Sequence, residues 1–248
     1  MEKQSNKYFE WLNGLYDVSA LITTIGENQR NPIPNILYML SKPINQKLLE
    51  IENYLIKKYK SNFGTTSGVV LDVGVGCGMI AGEFAKYGYT VHGVDVDTFS
   101  LIASTIYIRY MLQKPYLVLM GDVNDENVML PIGLYDAISC TSTLEHLKND
   151  RDVLKKLHLA LRDDGFGIIS IPLDEDITPE PPREIETLGR KYKVYPHIRS
   201  YTRENFLKMM DDVGFTILEE HIVTGSGGDI DRRMYKVLVM VCRKKLIG

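Results

Sequence analysis

The sequence predicts a doubly wound α/β fold, with a mostly parallel sheet of seven strands preceded by an N-terminal helical segment. From Val69 onward, short and continuously apolar runs alternate with segments of helical period. This pattern is typical of a parallel sheet whose two faces are both covered by helices. The 248 residues are 44% hydrophobic and 25% charged, an ordinary globular composition that is sufficient for a substantial core.

Residues 1–65 are predicted to form a helical cap in front of the main domain. Tyr8, Trp11 and Tyr16 belong to an apolar stripe of helical spacing, which predicts a first helix. Ser41 is a predicted N-cap for a second helix, whose isoleucines and leucines recur on one buried face.

The main domain, residues 66–248, is predicted to contain all seven strands. They lie at Val69–Val73, Thr90–Asp95, Tyr116–Met120, Tyr135–Cys140, Gly167–Ile171, Phe215–Val223 and Tyr235–Cys242. Helices are predicted near Met79–Tyr87, Thr98–Leu112 and Arg151–Leu161, and a last one follows Thr202 as its N-cap. Residues 172–200 form a long irregular insertion, and its length favours a functional excursion over a site.

Charge and cysteine usage narrow the function classes. A net charge of −3 and a pI of about 6.0 provide no basic field, so a nucleic-acid partner is not expected. Cys77, Cys140 and Cys242 are scattered without metal-ligand spacing, so we predict no metal site and a reducing, cytoplasmic setting. The chain begins without an apolar targeting region, and no apolar run reaches the roughly 18 residues of a membrane span.

A glycine loop follows the first predicted strand. Gly74, Gly76 and Gly78 form a G-x-G-x-G pattern, which lets the backbone turn sharply and lets a ligand approach the main chain. A dinucleotide fingerprint would require glycine in place of Met79. The next strand ends at Asp95, where a carboxylate can accept both hydroxyls of a ribose. The two features together predict a nucleoside-binding site that is not of the dinucleotide type.

From about Val69 to Val241, the sequence resembles the class I S-adenosylmethionine-dependent methyltransferases. The resemblance implies an antiparallel last strand, S-adenosylmethionine as cofactor, and an N-terminal segment that closes over the cofactor. The aromatic stripe in that segment would then belong to a lid, and packing in the core is the alternative role for it. It also implies that the glycine loop wraps the methionine part of the cofactor, that the second strand supplies the ribose acid, and that the segment after the third strand contacts adenine. The implied cofactor-binding residues are Asp72, Gly74, Gly76, Gly78, Asp95, Val96, Asp122, Val123, Cys140 and Thr141.

His146 is the first candidate for catalysis. A hydroxyl or ammonium acceptor must lose a proton during methyl transfer, which invites a general base, and histidine titrates near working pH. His146 follows the fourth strand at the ligand edge of the sheet. Two roles are open for it: a general base, or a side chain that packs against the loop and orients it.

His197 and Arg199 are the second candidate group, at the end of the insertion. If the segment is extended, Tyr195, His197, Arg199 and Tyr201 lie on one side of it. The forked guanidinium of Arg199 could then bind an anionic acceptor, such as a carboxylate or phosphate, through two hydrogen bonds. The alternative is that this segment is a solvent-exposed charged loop.

Three functions are therefore compared. The first is methyl transfer to oxygen or nitrogen of a small molecule, such as a sugar, a lipid precursor or a specialised metabolite. The second is a protein or RNA methyltransferase. The third is a nicotinamide enzyme or an aminopropyl transferase on the same fold, against which Met79 and the lack of an identifiable acidic pair stand.

Overall fold

The computed structural model describes residues 42–62, 68–177, 180–187, 190–227 and 233–245, and the backbone of 16–17. These residues form a mixed sheet with helices on both faces and a separate two-stranded hairpin. The predicted α/β fold with seven strands is confirmed, and a two-residue strand extends one edge of the sheet.

The strands are β1 (Tyr16–Asp17), β2 (Val69–Val73), β3 (Thr90–Asp95), β4 (Tyr116–Met120), β5 (Tyr135–Thr141), β6 (Leu161–Pro172), β7 (Arg183–Thr187), β8 (Arg190–Val194), β9 (Phe215–Ser226) and β10 (Met234–Lys244). The helices are α1 (Pro43–Asn62), α2 (Met79–Lys86), α3 (Thr98–Thr105), α4 (Asp150–Ala160) and α5 (Arg203–Val213). A π-helical turn (Ile106–Met111) continues α3, and a short 3-10 turn (Leu144–His146) follows β5.

The strand order in the main sheet is β1-β4-β3-β2-β5-β6-β10-β9. Strands β2 to β6 pair in parallel, and β10 is antiparallel to both of its neighbours, so β9 runs with the parallel set. The chain passes from β2 outward to β4 and then returns across β2 to β5. The order therefore reverses between β2 and β5, where open α/β sheets bind their ligands.

Alternate side chains of each central strand enter two different cores. Val70 packs with Leu55 of α1 and Phe84 of α2 on one face of the sheet. Its neighbour Leu71 packs with Phe206 of α5 on the opposite face. All five side chains are fully buried. Because both faces are covered, most positions of these strands are apolar, which explains the nearly continuous runs in the sequence.

Helix α1 packs directly on the main sheet, against β9 and β10. Ile44, Leu55 and Ile56 lie in the same buried cluster as the strand side chains, so this helix shares a core with the sheet. At 20 residues α1 is the longest helix described, and no helix within the described ranges combines the length and apolarity that crossing a membrane requires.

The insertion at 172–200 is not irregular throughout, because β7 and β8 form an antiparallel hairpin within it. Glu184 lies opposite Lys193, and Glu186 lies opposite Lys191. Cross-strand pairs of opposite charge stabilise such a ladder. The sequence predicted an irregular segment here, whereas charged residues of opposite sign face each other across the hairpin.

Tyr16 was predicted to be helical and instead lies in β1, opposite Met120 of β4. The edge of β4 offers unpaired backbone N–H and C=O groups, and β1 pairs with some of them. The other residues of the aromatic stripe, Tyr8 and Trp11, and the predicted cap Ser41 lie outside the described residues. The predicted cap Thr202 is confirmed, because its hydroxyl accepts a hydrogen bond from the Asn205 amide at 3.2 Å.

Candidate active site

Two loops meet at the carboxyl ends of β2 and β5, where the strand order reverses. A Cβ atom on Gly74 would overlap the Thr143 side chain, so the first loop depends on a glycine to approach the second. The Thr143 hydroxyl lies 3.0 Å from the Thr141 carbonyl and 3.3 Å from the Val73 carbonyl. The two loops are thereby held together as one rim.

The glycine loop is held open by left-handed backbone conformations. Gly74, Gly76 and Gly78 have φ values of 71°, 51° and 80°, a backbone region that residues other than glycine seldom adopt. The Gly76 amide donates to Asp95 Oδ2 at 3.1 Å, and the Asp97 amide donates to Oδ1 at 3.0 Å. Burial raises the pKa of Asp95 to about 6.

Two cavities within the described part of the chain adjoin this region, and the smaller, about 260 Å³, opens at this rim. Six of the predicted cofactor-binding residues line it: Gly74, Gly76, Asp95, Val96, Asp122 and Val123. The Asp122 carboxylate accepts a hydrogen bond from the Asn124 amide at 2.9 Å, and burial raises its pKa. The end of the hairpin, residues 193–195, also lines this cavity, so the insertion reaches over the glycine loop.

The remaining predicted cofactor-binding residues lie behind the cavity wall. Asp72 is buried, accepts a hydrogen bond from the Ser139 hydroxyl at 2.7 Å, and has a pKa raised to about 7 by burial. Cys140 is fully buried in the core, and Gly78 begins α2. Thr141 is partly buried at the end of β5 and is not among the lining residues. These residues support the loops, while Ser142 and Thr143 line the cavity instead.

The larger cavity, about 490 Å³, lies between the N-terminal end of α1, the insertion and β10. Ile44, Leu48 and Val237 form apolar parts of its wall. Ser142 and His146 line both cavities, so the 3-10 turn after β5 stands between them.

His146 is held in a defined tautomer. Its Nδ1 lies 2.7 Å from the Tyr195 carbonyl oxygen. A carbonyl only accepts hydrogen bonds, so Nδ1 carries the proton and the ring's lone pair is on Nε2. Burial lowers the pKa of His146, and the neighbouring His197 lowers it further, so the neutral ring is favoured.

His197 and Glu145 complete a cluster around His146. The His146 and His197 rings meet edge to face with centroids 4.7 Å apart. His197 Nδ1 donates to Glu175 Oε2 at 2.5 Å, and its Nε2 lies 3.8 Å from Glu145 Oε1. Glu145 is fully buried, and burial raises its pKa to about 8. All four side chains line the larger cavity.

Arg199 differs from its predicted role as an anion-binding residue. Its guanidinium forms an ion pair with Asp150 at 2.6 Å and donates to the Lys148 carbonyl at 2.8 Å. The Tyr201 hydroxyl donates to the same carboxylate at 2.8 Å. Arg199 lines neither cavity. Its positive charge is paired with the carboxylate of Asp150 instead. The larger cavity is lined by carboxylates, among them Glu145 and Glu175, and also by Lys42 and Arg233, so an anionic acceptor stays a prediction that Arg199 does not support.

Sequence reasoning did not select Glu145 or Glu175 as functional residues. Glu145 is adjacent to His146, so the pair Glu145-His146 after a strand was an available signal. No sequence signal pointed to Glu175, because it contacts His197 only once the insertion is folded.

A sequence model described as a methyltransferase domain matches residues 46–220, which is more than half of the chain. The chain belongs to this methyltransferase family. The family predicted from the glycine loop and its neighbouring motifs is confirmed, as is the enzyme class at the level of the family.

Several curated relatives of this chain are ubiquinone biosynthesis O-methyltransferases. A ubiquinone biosynthesis O-methyltransferase from Rickettsia prowazekii is 31% identical over 120 residues, which cover 47% of this chain and 45% of the relative. The match spans about half the length of the curated relatives.

Solved structures share the fold at low sequence identity. The 1,6-didemethyltoxoflavin-N1-methyltransferase of Burkholderia thailandensis, with bound S-adenosylhomocysteine, is 20% identical with a TM-score of 0.53, covering 80% of this chain and 78% of its own. A [4+2]-cyclase is 14% identical with a TM-score of 0.57, covering 79% of this chain and 81% of its own. The fold therefore does not by itself fix the reaction.

The smaller cavity of the methyltransferase fits an adenosyl cofactor. A Cβ atom on Gly76 would meet only a backbone oxygen at 3.9 Å, so there is open space beside the loop. The carboxylates of Asp95 and Asp122 line the same cavity. They can accept hydrogen bonds from ribose hydroxyls and from an adenine amino group.

Proposed function

We propose that the protein is an S-adenosylmethionine-dependent methyltransferase that acts on an oxygen or nitrogen of a small molecule. The observation that carries the proposal is the pair of cavities that share Ser142 and His146. The smaller one adjoins the glycine loop, and the larger one, at about 490 Å³, is in the size range of small-molecule sites.

In this proposal the glycine loop and two carboxylates hold the cofactor. Gly74 and Gly76 allow the main chain to approach it, Asp95 accepts from its ribose, and Asp122 accepts from its adenine amine. Val96 and Val123 supply apolar walls. When bound, S-adenosylmethionine supplies a methyl group that is activated by its attachment to a sulfonium.

The acceptor occupies the larger cavity, with its reacting atom at His146. An acceptor hydroxyl or ammonium group that takes the methyl group from the bound cofactor would also have to lose a proton at this atom. The lone pair on His146 Nε2 acts at this atom and promotes that loss. The buried walls position the acceptor and exclude water.

Calorimetry tests the cofactor. We expect S-adenosylmethionine and S-adenosylhomocysteine to bind with one site per chain and NAD to give no heat. Uptake of NAD without uptake of either sulfur nucleoside would refute the proposal. The fold also hosts a cyclase, so methyl transfer itself needs a second assay: formation of S-adenosylhomocysteine with a panel of small phenols and amines.

His146→Ala tests the site. We expect turnover to fall at least tenfold, because a positioned proton-transfer group contributes about 10²–10⁴-fold. Affinity for S-adenosylhomocysteine should persist, since the cofactor is held mainly by the glycine loop. His221→Ala is the matched control, because His221 lies on β9 and pairs with Glu219 at 2.9 Å. Equal turnover in the His146→Ala variant and the unaltered protein would remove His146 from the mechanism.

A further inference from the structure

Three potential metal ligands converge on the wall of the larger cavity. Glu145, His146 and His197 each offer one ligand atom, and these atoms lie within 4.8 Å of one another. Two imidazoles and one carboxylate form the donor set of many catalytic zinc and non-haem iron sites. The three come from two parts of the chain, the turn after β5 and the end of the insertion.

Both histidines have the supporting contacts of metal-ligating histidines. Such a ring donates its other N–H to a carboxylate or a backbone carbonyl, which fixes the tautomer and directs the free lone pair at the metal. His146 donates from Nδ1 to the Tyr195 carbonyl, and His197 donates from Nδ1 to Glu175. Each histidine therefore keeps its Nε2 lone pair for a ligand.

Glu145 supplies an independent observation. Its side chain is 0% exposed, and neither carboxylate oxygen has a hydrogen-bond partner within the described part of the chain. A buried polar group without a partner is costly, and one oxygen is already 3.8 Å from His197 Nε2. A cation between these groups would satisfy the carboxylate and both imidazoles at once.

We propose that Glu145, His146 and His197 bind a divalent cation of the first transition series. The imidazole donors favour such a cation over Mg²⁺, which prefers oxygen ligands and water. Three protein ligands leave coordination positions open, and all three residues face the larger cavity. The sequence analysis predicted no metal site because it considered cysteine spacing, and this donor set contains no cysteine.

The consequence for catalysis rests on the proposed function, whereas the cation site itself does not. The three residues would hold the cation where an acceptor hydroxyl could bind it, and the cation would favour release of the hydroxyl proton to solvent. His146 then promotes deprotonation by holding the cation rather than by taking the proton itself. The acceptor class at this site is accordingly a hydroxyl compound.

The test is calorimetry of the full chain, freed of metal by a chelator and titrated with Zn²⁺ and with Mn²⁺ in the absence of cofactor. We expect one cation per chain, with Zn²⁺ bound more tightly than Mn²⁺. Glu175→Gln keeps the three ligands and alters only the support of His197, so it should weaken binding about 10–100-fold. Glu145→Gln and His197→Ala should weaken it further, and His221→Ala should not change it.

Two results would overturn the cation site. One is no uptake of either cation at millimolar concentration. The other is uptake that Glu145→Gln and Glu175→Gln both leave unchanged, which would assign the heat to surface groups. Thermal melts establish that each variant is folded. Calorimetry with S-adenosylhomocysteine on the same samples reports the proposed function separately: a protein that binds the cation but no adenosyl compound would retain the cation site and lose the methyl-transfer proposal.

Discussion

The chemistry of the site depends on which nitrogen of His146 carries the proton. The Tyr195 carbonyl assigns it to Nδ1, and His197 is oriented in the same way by Glu175. Both acceptors of these N–H groups belong to the insertion, while His146 belongs to the turn after β5. The insertion thus sets the tautomer of a residue that it does not contain.

Asp95 predicts a pH dependence of cofactor binding. Burial raises its pKa to about 6, from an ordinary value of 3.8. Only the ionised carboxylate accepts from both ribose hydroxyls, so affinity should be full above pH 6 and should fall as the pH drops through that value. The fall should approach tenfold per pH unit below it.

Calorimetry with S-adenosylhomocysteine between pH 5 and pH 7.5 measures this dependence. Asp95→Asn is the control, and it should bind weakly at every pH in that range. A dependence of equal size in the variant would assign the titration to another group.

Arg199 predicts a loss of stability rather than a change in acceptor binding. Arg199→Ala removes an ion pair of 2.6 Å from Asp150, which is 7% exposed and keeps hydrogen bonds from the Tyr201 hydroxyl and the Arg151 amide. We expect the free energy of unfolding to fall by about 1–3 kcal/mol. Urea unfolding measures the loss, and the acceptor KM should change less than twofold. A large increase in KM at unchanged stability would restore the predicted contact with the acceptor.

At the scale of elements, the rim of the site is made by two loops that must touch. The glycine loop after β2 approaches the turn after β5 at Gly74 and Thr143. The hairpin of β7 and β8 then reaches over the smaller cavity, and α1 closes the larger one. The insertion therefore contributes to the walls of both cavities, and α1 contributes to the larger one.

Gly74 and Gly76 predict different effects of the same substitution. Both have positive φ, so alanine at either position costs about 1–2 kcal/mol of backbone strain. Gly74→Ala adds an overlap with Thr143, so it should lose about 2–4 kcal/mol of unfolding free energy in urea. Gly76→Ala meets open space and should lose only the smaller amount, yet it should bind S-adenosylhomocysteine more weakly because its methyl group enters the smaller cavity. Equal stability of the two variants would contradict the loop contact.

At the scale of the whole molecule, α1 belongs to the core that carries the sheet. Leu55 is 0% exposed and packs in the cluster that contains the strand side chains. The helix therefore cannot leave the sheet without opening that core, and its N-terminal end also lines the larger cavity. Stability of the core and shape of the larger cavity are coupled through this helix.

Leu55→Ala tests this coupling. We expect a loss of about 2–5 kcal/mol, the range for truncating a buried leucine. The exposed neighbour Lys57→Ala is the control and should change stability by no more than about 0.5 kcal/mol. Amide exchange in β2 should accelerate to the same extent as global unfolding. Unchanged protection in β2 would indicate that α1 unfolds as a separate unit.

The sequence by itself determined the sheet and its ligand edge. The bounds of β2, β3 and β4 are the predicted ones, because each strand is a short, mostly apolar run; glycine follows β2 and β4, and β3 ends at Asp95. These signals are local in the sequence. The glycine loop and Asp95 follow from them directly, because each stands where an apolar run ends.

Only the tertiary structure decided the cluster around His146 and the composition of the larger cavity. Glu145 and His197 are far apart in the chain and carry no shared periodicity, so nothing local predicts their approach. The same holds for Arg199, whose ion pair with Asp150 forms only when the insertion folds back. Burial and charge pairing act between distant segments, which is why these assignments required the folded chain.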